Sequence, residues 1–227
     1  MKIKNYLFLI FAAAIAVLAC CKYDNYEEPQ STLSGTINYQ GQAVGVRSNA
    51  VQLELWQGGY QLYTKIPVYV QQDGTFKAIL FDGDYKLTYL KGVGPWVTKT
   101  DTIAVSVKGN TVKDFPIEPF FLIKTSSFVK NGTNIVGTLT LQRVNTTQSL
   151  EAVRIYLNKG TIADSNINLA NFSIAGSAIP DPNATITISV AIPSTLSAND
   201  YLYARVGVKT TGVTELAYGA PQKVALK

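Results

Sequence analysis

The chain contains no histidine, and this absence excludes a wide range of chemistry. Without an imidazole there is no Ser-His-Asp or Cys-His nucleophilic site, none of the usual zinc ligand sets, and no common general base near neutral pH. Cysteine is almost absent as well: Cys20 and Cys21 are adjacent near the N-terminus and are the only two. Adjacent cysteines rarely bridge, because their Cα atoms lie too close for relaxed disulfide geometry. The rest of the chain therefore has no disulfide framework and no thiolate chemistry, and its stability must come from apolar burial. Charged residues make up only 15% of the chain, and no run of Lys or Arg interleaves with aromatics. Nucleic-acid binding has no footprint here.

The N-terminus is where charge and hydrophobicity separate cleanly. Lys2 and Lys4 precede an uncharged apolar run from Tyr6 to Ala19, which is the layout of a secretory signal. The run is shorter than the about 20 apolar residues that cross a bilayer, and it stops at Cys20-Cys21-Lys22. Val17-Leu18-Ala19 ahead of Cys20 suits a lipoprotein signal peptidase, so residues 1–19 are expected to be a lipoprotein signal. Cys20 is the expected acylated residue, with Cys21 as the alternative. Residues 20–30 then form the lipid-bearing cysteine and a polar, acidic tether closed by Pro29 and Gln30. Loss of Lys2 and Lys4 leaves eighteen basic against fifteen acidic residues, a mild balance of +3.

From Leu33 onward apolar residues recur at every second position, in Leu33/Gly35/Ile37/Tyr39 and Val51/Leu53/Leu55, the signature of strands. Gly58-Gly59 and Asp73-Gly74 read as short hairpin turns. Six or seven short strands up to Ile117 describe a sandwich. Pro116 and Pro119 bracket Glu118 and disfavour a continuing central strand, so a boundary is placed there. The alternation then resumes and is cleanest in Ile186/Ile188/Val190/Ile192. Ser149–Leu157 admits a helical reading, yet β-branched Val153 and Ile155 favour a strand; Asn158–Asn171 is turn-rich with room for one short helix. The expected fold is all-β: two consecutive β-sandwich domains, residues 31–118 and 119–227, after the signal and tether.

Carboxylates alone can cleave glycosides, so they need separate weighing. Asp73, Asp82, Asp84, Asp101, Asp114, Glu151, Asp164, Asp181 and Asp200 lie mostly beside turn residues, where an Asx side chain caps its own backbone. Asp82-Gly83-Asp84 lacks the ligand count of a calcium loop. The chain is therefore read as non-catalytic, with no metal and no cofactor. Aromatic side chains remain, because their flat faces stack on sugar rings. Trp96, in the loop Gly92-Val93-Gly94-Pro95-Trp96, is the preferred ligand contact; the competing reading folds it back as a lid over its own sandwich. Trp56, Tyr60 and Tyr63 surround Gly58-Gly59 and are the other ligand-binding candidates, since Trp56 points away from the core in the Val51/Leu53/Leu55 register.

Cys21–Pro29, followed by Leu33-Ser34-Gly35-Thr36-Ile37 and the Val51–Trp56 strand, resembles the opening of an uncharacterised two-domain lipoprotein family of Bacteroidetes. Within the first half, Gly35-Thr36-Ile37, Asp73-Gly74-Thr75-Phe76 and Asp82-Gly83-Asp84-Tyr85 resemble the transthyretin-like fold of carboxypeptidase regulatory domains, a Greek-key sandwich. In the second half, Tyr201–Val206 followed by Tyr218-Gly219 is similar to the closing strands of immunoglobulin or fibronectin domains. The resemblance implies an outer-membrane lipoprotein, facing periplasm or exterior, that binds polysaccharide or oligosaccharide or assists a SusC/SusD-like pair. The alternative is a structural spacer that meets other proteins at the cell surface. The family assigns no site residues, so none transfers.

Overall fold

Alternation along the chain is written directly into burial. In β1 (Ser31–Tyr39), Leu33, Gly35 and Ile37 point inward while Thr32, Ser34 and Thr36 point outward. The computed structural model describes residues 27–227, so the signal and both cysteines lie outside the described residues.

β1 is the spine of the first sheet. It pairs antiparallel with β2 (Gln42–Ala43) and with β5 (Thr75–Leu80), and parallel with β8 (Asn110–Val112) and β9 (Phe115–Pro116). The facing sheet has the order β4 (Lys65–Tyr69), β3 (Gln52–Gln57), β6 (Gly83–Tyr89), β7 (Ile103–Val107). Leu33, Ile37 and Phe76 from one sheet meet Leu53, Leu55, Leu87 and Val105 from the other in one buried cluster. Stacked sheets of this kind share a core about 10 Å thick.

The second sandwich repeats the arrangement with different partners. β10 (Phe121–Asn131), β11 (Asn134–Arg143) and β14 (Ile186–Ala191) form one sheet. The other contains β13 (Ala170–Ala175), β12 (Leu150–Asn158) and β15 (Tyr201–Thr210), with β16 (Ala217–Tyr218) and β17 (Gln222–Ala225) also paired to β15. Phe128, Ile135 and Ile188 pack against Ile155, Leu157 and Val206 between them. The chain passes from one sandwich to the other between Pro116 and Phe121.

Several local expectations are corrected. Gly58-Gly59 opens a loop running to residue 64, so the return strand starts at Lys65 and leaves Tyr60 and Tyr63 outside the sheet. Asp73-Gly74 is a tight turn with Gly74 at φ +86°, but it hands the chain from β4 in one sheet to β5 in the other. Residues 158–171 hold no helix; among the described residues the helical turns are a 3-10 turn at Gly176–Ala178 and an α-helical turn at Ser194–Ser197.

Trp96 is also corrected: it is buried at 4% exposure and offers no face to a ligand. Its ring lies 6.3 Å from that of Tyr89, and its backbone bridges to Pro119. A Cβ at Gly94 would collide with the indole, so the glycine is what lets this side chain fold back over the open end of the sandwich. Tyr89 in turn meets Phe115 edge-on at 4.6 Å, a geometry that aromatic quadrupoles favour.

Strand registers give the first domain two distinct ends. Ser31 pairs with Leu80, Gly83 with Val107 and Gln57 with Tyr85, which gathers the start of β1 and the 58–64 loop at one end. Gly45, Val46, Gln72 and Trp96 lie at the other, against the second domain.

Candidate functional site

Trp56 sits near the end of β3, one residue past buried Leu55, and so on the outer face of the sheet. Its cross-strand neighbours are Lys65 on β4 and Lys86 on β6, and Lys86 pairs onward with Ala104. The small Ala104 side chain leaves the outer face open beyond Lys86. Tyr63 turns back from the loop onto Trp56, with ring centroids 5.1 Å apart and planes tilted by 32°. Together they border a cleft of 590 Å³ lined also by Gln57, Asp84, Tyr85 and Lys86.

Two rings this close pack on each other and leave no room for a ligand ring between them. The usable platform is the outward side of Tyr63, which is 55% exposed, with Trp56 buttressing it from behind. Polar groups flank the platform. Asp84 accepts hydrogen bonds, Lys86 donates them, and the Gln57 amide does both. A Cβ at Gly83 would meet the Gln57 amide nitrogen, so the Asp82-Gly83-Asp84 turn makes room for it. Lys65 is committed to Glu54 at 2.7 Å, whereas Lys86 makes no ion pair among the described residues. Beneath the cleft, Tyr85 points from β6 into the core: burial raises its phenol pKa, and its hydroxyl donates to the Phe81 carbonyl at 2.9 Å. An aromatic platform rimmed by a few convergent polar groups, in a cleft of this size, is the common form of a small-ligand site.

The structure therefore brings three of the four expected aromatics to one corner. Trp56 and Tyr63 touch, and Tyr60, 61% exposed, projects from the same loop. Trp96 lies at the opposite end of the domain.

The polar centre that sequence reasoning missed is Arg205. It lies on β15 among residues that face away from the second core, yet it is fully buried because the first domain docks there. Its Nε donates to Gly219 O at 2.8 Å, and Nη2 donates to Val46 O at 3.0 Å and Gln72 O at 2.7 Å. The guanidinium stacks 4.5 Å from the Tyr218 ring centroid. Desolvation lowers its pKa to about 10, so it stays charged at neutral pH. Around it, Gly45 bridges Tyr218 and Arg47 pairs with Glu215 across the junction. A sheet-strand arginine carries no signal of such a role until the partner domain is placed.

Five of the nine candidate carboxylates hold backbone in position, and Asp200 pairs with Lys227. Asp73 accepts from Thr75 N, Asp164 from Asn166 N and Ile167 N, and Asp181 from Asn183 N. Asp82 accepts from the Ser31 hydroxyl and from Gly109 N, and Asp114 from Thr36 N. Among the described residues no three acidic, cysteine or histidine side chains cluster as metal ligands would. No helix among them is long and apolar enough to cross a membrane.

Comparison with known proteins places this geometry in a family. Residues 31–118 match the N-terminal domain of DUF3823, a protein family of unknown function, and residues 121–223 match the domain of unknown function DUF3823 C. A DUF3823 family protein from Bacteroides ovatus is similar at 41% identity and a TM-score of 0.82, covering 87% of this chain and 100% of that one. One from Parabacteroides merdae reaches 33% identity and 0.80 over the same shares. A candidate carbohydrate-binding protein from Bacteroides uniformis shares 19% identity and a TM-score of 0.71, covering 87% and 100%, and shows likeness of fold alone. No curated protein matches the chain.

Proposed function

The chain belongs to the DUF3823 family, and from that premise we propose a non-catalytic lipoprotein that binds polysaccharide or oligosaccharide at the Trp56–Tyr63 cleft. The observation that carries the reading is the Tyr63 face, braced by Trp56 at 5.1 Å and bordered by Gln57, Asp84 and Lys86. A sugar ring stacks its C–H face on such a platform while its hydroxyls meet the amide, carboxylate and ammonium at the rim. The carbohydrate assignment of a protein sharing this fold supports the same class of ligand. On this reading the anchor is a lipid on Cys20, with Cys21 as the alternative, the site of action is the outer membrane, and a SusC/SusD-like importer is the natural consumer of the bound glycan. Affinity electrophoresis of the soluble chain through a panel of polysaccharides tests it. Retardation by at least one glycan, abolished in Trp56→Ala, is the expected result; free migration through every gel removes the proposal.

The second reading, a spacer that holds other proteins at a fixed distance, is favoured by the junction. Arg205 binds carbonyls of both domains from a fully buried position, which suits a stiff rod. Co-purification of partner proteins that survives Trp56→Ala, in a chain that no glycan retards, would favour the spacer.

A further inference from the structure

The end of the first domain where β1 begins displays apolar side chains that neither core uses. Leu62 is 75% exposed in the loop after β3, with Tyr60 beside it at 61%, and Phe81 follows β5 at 47%. They share this end because Ser31 opposes Leu80, Gln57 opposes Tyr85, and the Tyr85 hydroxyl reaches the Phe81 carbonyl. Leu62 is the residue that sugar binding leaves unexplained, since an aliphatic side chain gives a hydroxylated ring neither an aromatic face nor a hydrogen bond. Charges at this end are mixed, Lys86 and Lys108 against Asp82 and Asp84, so it is not a polybasic patch of the kind that anionic lipids attract.

What such a surface would meet follows from where the chain leaves it. Ten residues separate Cys20 from Ser31, a length that spans roughly 15–20 Å as a coil and at most about 40 Å when stretched. A lipid on that cysteine keeps this end, and not the second domain, within a coil length of the headgroups. We propose that Leu62, Tyr60 and Phe81 rest in the interfacial region of the bilayer that carries the chain's own anchor. The inference rests on the lipoprotein reading above. Tyrosine and other aromatics sit well at headgroup depth, with apolar bodies and polar tips. Three side chains suffice because a short linker turns their contact into an intramolecular event at high effective concentration. The second domain then points away from the membrane.

The test uses the chain from Cys21 onward, which retains both cores and a single thiol. Coupling that thiol to a maleimide phospholipid in phosphatidylcholine vesicles supplies an anchor whatever the natural modification. Two added fluorophores are compared, Leu62→Trp at the base and Phe172→Trp on β13 of the second domain, in vesicles with and without brominated acyl chains. Brominated lipid is expected to quench most of the emission added by Leu62→Trp and to leave that added by Phe172→Trp, and the quenching is expected to persist in high salt. Adding Tyr60→Ser and Phe81→Ser to Leu62→Trp should weaken it. Equal quenching at both positions, no quenching at Leu62→Trp, or quenching abolished by salt overturns the proposal. Because the coupling is chemical, failure here is separable from failure of the anchor reading, which palmitate labelling in cells tests by itself.

Discussion

The first domain is built differently at its two ends. Toward the second domain the large side chains are enclosed: Trp96 covers the sandwich, and buried Arg205 binds carbonyls from both sides of the junction, beside a smaller cleft of 280 Å³ bordered by Gly45, Gln72, Ser126 and Tyr218. Toward the start of β1 the same domain opens, with Tyr60, Leu62 and Tyr63 on a loop that has few neighbours and a cleft of 590 Å³ beside it. The contrast separates fold from ligand binding. Trp96 and Arg205 at the closed end fix how the two domains sit and are buried from any ligand, whereas residues at the open end can be altered at little cost to stability.

The largest effect is expected from Arg205→Ala. It removes three charge-assisted hydrogen bonds and strands the carbonyls of Gly219, Val46 and Gln72. Urea unfolding should show a loss of about 4–5 kcal/mol and should split one transition into two as the domains uncouple. Arg205→Lys should not restore it, because an ammonium cannot reproduce the planar fork. A single transition of unchanged midpoint would break the comparison at its closed end. Trp96→Ala comes next, costing about 3–4 kcal/mol as a buried aromatic is removed from beside Tyr89. Glycan retention at the cleft should be unaffected; its loss would mean that the ends are not independent.

Most of the framework was legible from residues because half-buried strands carry their burial in a period of two. The Leu33/Gly35/Ile37 and Ile186/Ile188/Val190 alternations are reproduced position by position, and the family suggested by the opening strands is the one that matches. The site was partly legible, since Trp56 follows from the same register. Sequence alone leaves Trp96 open between ligand contact and lid for a physical reason: a loop length does not say whether its aromatic points out or folds back, and the local clue is that Gly94 offers no Cβ to obstruct the indole. Arg205 was not legible, because its position on β15 faces away from its own core. Only a second domain arriving on that face makes it buried, and no local pattern encodes that arrival.

At the open end, Trp56→Ala should cost about 1 kcal/mol or less, as expected for a surface position, while abolishing retardation in glycan gels. Tyr63→Ala should behave alike, since each ring braces the other at 5.1 Å. A large stability loss from either would show that the pair is a structural cap, which would remove the distinction between the two ends.

The smallest expected effect concerns the latch at the base of β1. The Asp82 carboxyl is held below its ordinary pKa by the Ser31 hydroxyl, then by the Gly109 N–H and the charge of Lys108. A carboxylate with a depressed folded pKa contributes stability that is fully present above its unfolded value of about 3.9 and is lost as pH falls through the folded value. Acidification below about pH 4 should therefore speed amide exchange at Gly109 and Thr32, where β1 meets the 109–112 segment, in excess of the change at β12 amides. Asp82→Asn should flatten that dependence without altering exchange at the Arg205 junction. If Gly109 and Thr32 respond to acid no more than β12 does, the latch has no role in holding the open end, and loop packing alone must account for its order.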